Sequence, residues 1–252
     1  FLLSSNVGEI ITLFLAILAT PLLASWFGII DIKELEPLLP IHILWINLVT
    51  DSLPALALAF DPANKDVMNR KPIKPGKGVF TKGMSLRILY QGIMIGTITL
   101  IAFCIGLSTK GVEDYVKIQI GQTMAFCVLA LSQLVHVYNV RNNKQSIFKT
   151  GIFNNSKLIL ATLASAALMF VILLVEPLRN IFSIVALPTE NILEVILANS
   201  IWILISQAPV FILTIAVILN KHEKIITYLR NKFSNNPNIK KKKKGLSHLL
   251  SI

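Results

Sequence analysis

Apolar residues come in six long runs along this sequence, each separated from the next by a polar connection. The runs cover about residues 2–30, 38–60, 84–107, 121–140, 158–175 and 193–219. A helix crosses the hydrocarbon core with about 20 apolar residues. The pattern therefore predicts an all-α membrane protein, a six-helix transmembrane bundle. The first two runs and the last have the full length. The fourth is the weakest, because Gln122, Ser132, Gln133 and His136 dilute it. No internal repeat is visible. Residues 1–220 read as a transmembrane domain and 221–252 as a polar, basic tail.

Composition agrees with the pattern. Of the 252 residues, 54% are hydrophobic and 15% charged, where a soluble domain carries roughly a quarter charged. The net charge is +11. The basic residues sit in connections and tail rather than on one amphipathic face, which favours a membrane surface over nucleic acid as their partner. Their distribution also orients the chain. Lys65, Arg70, Lys71, Lys74, Lys77, Lys82 and Arg87 crowd one connection, and residues 141–157 and the tail are basic too. The alternate connections are balanced or acidic: Lys33 faces Asp31, Glu34 and Glu36, and Arg179 faces Glu176, Glu190 and Glu194. The positive-inside rule places 61–87, 141–157 and the tail in the cytoplasm, with both ends on that side. The run Lys240–Lys244 is expected to lie near anionic lipid. Cys104 and Cys127 fall inside apolar runs and spell no disulfide framework or metal motif. The chain opens on "FLLSSNVGE", already within a span and without a methionine. It reads as a segment of something larger, the missing part lying upstream.

Two carboxylates lie inside the runs: Glu9 in the first and Asp51 in the second. Ionisable groups at membrane depth are costly and are functional candidates by default. Asn6 stands three residues from Glu9, and Asn47, Thr50 and Asp51 follow the i, i+3, i+4 spacing of one helix face. A short connection makes the two spans antiparallel neighbours, so the polar faces can meet. All five side chains offer oxygen, a donor set suited to a hard cation such as calcium. Pro54 lacks the N–H that would continue the helix and is expected to free carbonyls near Thr50 and Asp51. The plainer alternative is that Asn, Thr and Ser in the spans only bond neighbouring helices. It leaves the carboxylates unexplained.

The stretches "SSNVGE" and "LWINLVTDSLPALALAFDP" resemble the fifth and sixth transmembrane helices of P-type ATPases, above all the calcium pumps of the sarcoplasmic-reticulum type and their bacterial relatives. "DPANKDVMNRKP" resembles the loop that follows, and "TMAFCVLALSQLVHVYNVRN" the eighth helix of bacterial members. The last two spans match mainly by hydropathy. The resemblance implies ion ligands at Asn6, Glu9, Asn47, Thr50 and Asp51. It implies a further one at Gln133, where two-site pumps carry glutamate, so the ion count stays at one or two. Ser52 stands where a glycine usually follows the aspartate. His136, one turn beyond Gln133, reads as interfacial rather than as a ligand. Trp26, Trp45 and Trp202 read as packing or interface anchors. The loop bearing Asp61, Pro62, Asp66, Arg70 and Pro72 would couple the membrane helices to a phosphorylation domain.

No D-K-T-G-T phosphorylation motif, nucleotide-binding segment or proline-broken fourth helix occurs in the sequence. The resemblance thus implies the C-terminal membrane half of a pump, not catalytic alone. ATP and Mg2+ would act on upstream domains of the same polypeptide. The expected cargo is Ca2+ leaving the cytoplasm, with Mn2+ or Na+ as alternatives. Protons are expected to replace the cation on Glu9 and Asp51 when it leaves. The expected host is the plasma membrane of a prokaryote. The rival readings are a six-helix carrier or channel without ATP drive, and a structural membrane anchor.

Overall fold

The computed structural model describes residues 1–29, 35–62, 68, 82–141, 151–187 and 191–198. All of them fall within one compact unit, Phe1–Gln207. Every element among them is helical. Helix α1 spans Leu2–Phe27 and α2 Pro40–Trp45, which passes through a wide π-helical turn, Ile46–Asp51, into α3, Ser52–Leu58. Then come α4 (Lys82–Leu107), α5 (Asp114–Val140), α6 (Ser156–Leu174) and the short α7 (Glu176–Phe182). Residues 191–198 are helical again. Five segments are long and apolar enough to cross a membrane: α1, Pro40–Leu58 taken together, α4, α5 and α6. They coincide with the first five predicted spans. Of the sixth, 199–219 lies outside the described residues, as do Trp202 and the tail.

The boundaries follow local chemistry. Gly28 ends α1 in the left-handed conformation, φ 69°, returning its N–H to the Ala24 carbonyl. Asn155 caps α6 by accepting the Leu158 N–H at 3.0 Å. Two boundaries differ from expectation. α5 begins at Asp114 rather than about 121, its first turn stitched by a Lys117–Asp114 pair at 2.9 Å. The connection after α6 holds a helix, α7, started by Pro177 in its first turn.

The weakest predicted span stands at the centre. Of the apolar stretch of α5, 83% is buried in the protein, against at most 39% in the other four spans. Hydropathy reports fitness for lipid, and α5 faces protein. Its polar residues therefore bond to neighbours at several heights. Gln122 Nε2 donates to the Glu36 carbonyl at 3.0 Å, Thr123 Oγ1 accepts from the Val185 N–H at 3.1 Å, and Tyr138 meets Thr162 at 2.8 Å. His136 corrects the interfacial reading: it is fully buried, with Nε2 2.7 Å from the Ser4 hydroxyl. Cys127 is buried in α5 and Cys104 half-buried in α4, both free. Trp26 is 71% exposed, whereas Trp45 packs edge-on against Phe182.

Glycines let the helices close on one another. α1 and α4 cross where Gly8 faces Gly92 and Gly96. A Cβ on Gly96 would lie 2.8 Å from Ile11 Cγ2 and 2.9 Å from the Gly8 carbonyl oxygen. α4 and α5 meet at Gly106 and Gly121. Lipid tails are as apolar as leucine, so such close backbone approach supplies much of the association energy in a bilayer. The first crossing fixes the stretch of α1 that carries Glu9.

Candidate ion-binding site

On α1, the residues Ser4, Ser5, Gly8, Glu9 and Thr12 are buried, while Ile10, Phe14, Ile17 and Leu18 are exposed. The helix hides its polar stripe and shows its apolar one, as a lipid-facing helix must. Asn6 lies exposed at the edge of this stripe, away from the buried Glu9.

The second carrier is the π-helical turn Ile46–Asp51. Pro54, one turn on, has no N–H to give back along the helix. The expected opening takes the form of this wide turn rather than an unwound segment, with α-helix resuming at Ser52. Two of its carbonyls are already taken by hydroxyls. Ser52 Oγ donates to the Asn47 carbonyl at 2.8 Å, and Ser165 Oγ from α6 donates to the Val49 carbonyl at 3.2 Å. π-turns of this kind concentrate at functional sites because they re-aim side chains without breaking the helix. Here Thr50 and Asp51 are aimed into the bundle, each 0% exposed.

The two elements meet α5 around Glu9. Asn47 Nδ2 donates to Glu9 Oε2 at 2.9 Å and to the Ile43 carbonyl at 3.1 Å. Gln133 Nε2 donates to Glu9 Oε1 at 3.1 Å. Both carboxylate oxygens of Glu9 are thus held by amides. Asp51 lies close enough to feel the Glu9 charge. Its own oxygens, the Thr50 hydroxyl and Gln133 Oε1 are buried without a hydrogen-bond partner. Neither carboxylate pairs with a basic side chain among the described residues. No cluster of three or more His, Cys, Asp or Glu occurs among them either. Among the described residues the cluster is therefore two carboxylates among neutral side-chain oxygens and amides. Desolvated, uncompensated carboxylates are among the costliest groups a bundle can hold.

Glu9, Asn47 and Gln133 are joined directly, Thr50 and Asp51 stand beside them, and Asn6 stays apart. Ser5 is the neighbour that sequence reasoning passed over. Its hydroxyl is fully buried and directed at Asp51, short of hydrogen-bond geometry. Its signal was its place one turn before Glu9 on the same stripe.

At the 141 end of α5 a second polar group ties three elements together. Arg141 donates through Nε to Asp61 Oδ1 at 2.9 Å, its Nη2 lies 2.8 Å from the same oxygen as an ion pair, and its Nη1 donates to the Gly151 carbonyl at 3.0 Å. Asn155 Nδ2 reaches Asp61 Oδ1 and the Ala57 carbonyl, both at 3.1 Å. Asp61 starts the expected coupling loop, followed by an exposed Pro62. Asp66, Arg70 and Pro72 lie outside the described residues.

Residues 35–215 match the family described as cation transporting ATPase, C-terminus. The chain belongs to this family. It is 39% identical over 219 residues to calcium-transporting ATPase 1 of Bacillus cereus (strain ATCC 10987 / NRS 248), covering 82% of this chain and 23% of that protein. It is also 39% identical over 225 residues to the calcium-transporting ATPase of Bacillus subtilis (strain 168), covering 88% of this chain and 22% of that one. Calcium-transporting ATPase 1 of Lactococcus lactis subsp. lactis (strain IL1403) is 32% identical over 186 residues, 74% of this chain and 19% of that protein. The chain spans less than a quarter of the length of these relatives. The family and the apolar helices make this an integral membrane protein of the P-type cation-transporting class.

Proposed function

We propose that this chain forms the ion-binding and translocating membrane part of an ATP-driven pump that exports Ca2+ from the cytoplasm. The observation that carries the reading is the buried pair Glu9 and Asp51. The pair lacks a basic partner among the described residues and is surrounded by orphaned oxygens of Thr50 and Gln133. Two carboxylates balance one divalent ion, and a ligand set made only of oxygen suits calcium. Manganese accepts the same donors and sodium needs less charge, so both belong in the test. The relatives' names favour calcium. Asn6 would join from its exposed position only if a further helix covered it.

ATP and Mg2+ would act on domains elsewhere in the same polypeptide. The loop starting at Asp61 would pass their movement to the turn Ile46–Asp51. A prokaryotic plasma membrane is the proposed host, with anionic lipid next to the tail 221–252. Alternating access follows if movement of α1 against the 40–58 span breaks the Glu9–Asn47 bond and parts the ligands.

The test is phosphoenzyme formation from ATP in membranes containing the complete gene product. The arms are Ca2+, Mn2+, Na+ and no added ion, each with Asp51→Asn alongside. Stimulation by calcium that disappears in Asp51→Asn is the expected result. Stimulation by another ion moves the cargo and keeps the pump. No phosphoenzyme under any condition refutes the pump and favours a carrier without ATP drive.

A further inference from the structure

Where α6 gives way to α7, a cavity of about 310 Å3 opens in the side of the bundle. Its floor is formed by Cys127 of α5, Met169 of α6 and Val195, all buried. Its mouth is edged by Phe170, Leu174 and Ile196, each half exposed or more. A buried floor and exposed apolar edges mean that the cavity opens toward hydrocarbon. Every lining side chain is apolar except Arg179 of α7. Arg179 is half-buried, and its Nη1 donates to the Leu173 carbonyl at 3.1 Å. That carbonyl lies in the last turn of α6, and the residue four places on, Pro177, has no N–H to offer it. Arg179 thus serves as a helix cap.

Capping leaves the charge unanswered. It engages Nη1, while Nε and Nη2 have no partner among the described residues. The ion pairs among those residues are Lys117–Asp114 and Arg141–Asp61. Glu176 stands one turn before Arg179 on α7 without pairing to it, and Glu194 accepts the Asn191 amide at 3.1 Å. An uncompensated guanidinium therefore borders an apolar cavity. A void in a bilayer does not stay empty: its walls would forfeit dispersion contacts that hydrocarbon tails can supply. Filling alone makes no site, because a tail gains little by leaving one apolar surrounding for another. The guanidinium adds selection, being a planar fork of donors matched to phosphate oxygens. The volume is at the low end for a ligand pocket and limits the guest to a single chain.

We propose that this cavity is a phospholipid site, in which one acyl chain fills the space and the phosphodiester binds Arg179. The lipid comes from the leaflet beside the 175–194 connection, which the charge pattern assigns to the outer face. None of the polar residues around Glu9 lines the cavity, so the proposal does not depend on the ion-binding reading.

The experiment is photolabelling of the complete gene product in lipid nanodiscs, with labelled residues mapped by mass spectrometry. The probe is phosphatidylglycerol carrying a diazirine midway along one chain. The control is a diglycosyl diacylglycerol with the same chain and no phosphate. Phosphatidylglycerol is expected to label the walls around Met169, Leu174 and Ile196 more strongly than the control. Arg179→Gln should lower that labelling about tenfold, the low end for a hydrogen bond to a charged group, and leave the control lipid unchanged. Arg179→Lys, which keeps the charge, should restore part of it. Ala186→Phe, which puts a ring into the cavity, should abolish wall labelling by both lipids. Leu160 and Leu163, exposed elsewhere on α6, should be labelled equally throughout and report an intact bundle. Equal wall labelling by the two lipids, or labelling indifferent to Arg179→Gln, overturns the proposal, since hydrocarbon would then fill the cavity without choice of head group. Walls untouched by either lipid, with Leu160 and Leu163 labelled, also overturn it, because protein would then cover the cavity. If Arg179→Gln does not fold, Ala186→Phe decides: wall labelling that survives the added ring refutes the site.

Discussion

The same substitution at two glycines of α4 should have opposite signs. At Gly96 a methyl group has no room: its carbon would sit 2.8 Å from Ile11 Cγ2 and 2.9 Å from the Gly8 carbonyl oxygen. Ile11 can turn, but the Gly8 oxygen is backbone, so α1 and α4 must move apart. Overpacking of this kind costs about 1–3 kcal/mol, and the better helix propensity of alanine returns at most about 1. Gly96→Ala should therefore lose roughly 1–2 kcal/mol, about 2–8 °C in the unfolding midpoint of the purified protein. Gly83 has nothing within 4 Å of its would-be Cβ. Gly83→Ala should be neutral or gain up to about 1 kcal/mol. Thermal unfolding of both variants in one detergent is the assay. The calcium affinity of Gly96→Ala should fall as well, because Gly8 precedes Glu9 on the displaced helix. A Gly96→Ala protein as stable as Gly83→Ala would refute the claim that backbone contact holds α1 to α4.

Arg141→Ala should cost about 2–3 kcal/mol, less than for a wholly buried pair because Asp61 remains 20% exposed; Arg141→Lys should recover part of it, and thermal unfolding reads both. Pro54→Ala restores an N–H that can bond the Thr50 carbonyl, tightening the wide turn toward α-helix. Stability should hold or rise while calcium affinity falls, so equilibrium calcium binding at the wild-type level would show that the proline does not maintain the turn.

Much of the architecture was legible because lipid imposes a simple rule on whatever faces it. Runs of about twenty apolar residues marked the spans, and two carboxylates within such runs pointed to the candidate site, where Glu9 and Asp51 are both buried. Where side chains face protein the rule fails. α5 looked weakest because Gln122, Gln133 and His136 are paid for by partners on other elements, none adjacent in sequence. The Arg141–Asp61 pair joins residues 80 apart, a separation that no local pattern encodes. Pro54 announced an opened helix but not its form, since unwinding and a π-turn both absorb a missing N–H. The glycines at 92 and 96 carried a readable signal, the four-residue spacing of close-packing membrane helices. Asn6 shows the limit of spacing arguments. Three residues from Glu9 leaves 60° between them, enough to put one side chain inside and the other out.

α5 also constrains how the bundle can move. In its first half it holds the segment around Glu36 and Val185, in its second half Glu9, and at its 141 end Asp61. Hydrogen bonds tolerate swivelling far better than stretching, and they fade beyond about 3.2 Å. A neighbour that slid along α5 would break its tether within an ångström. One that turned about α5 could keep it. The central helix thus acts as an axle, and rotation is the inexpensive degree of freedom. Turning α1 swings Ser5 and Glu9 through an arc together, so the buried polar side chains of that helix would move away from Asn47 and Asp51 in the same stroke.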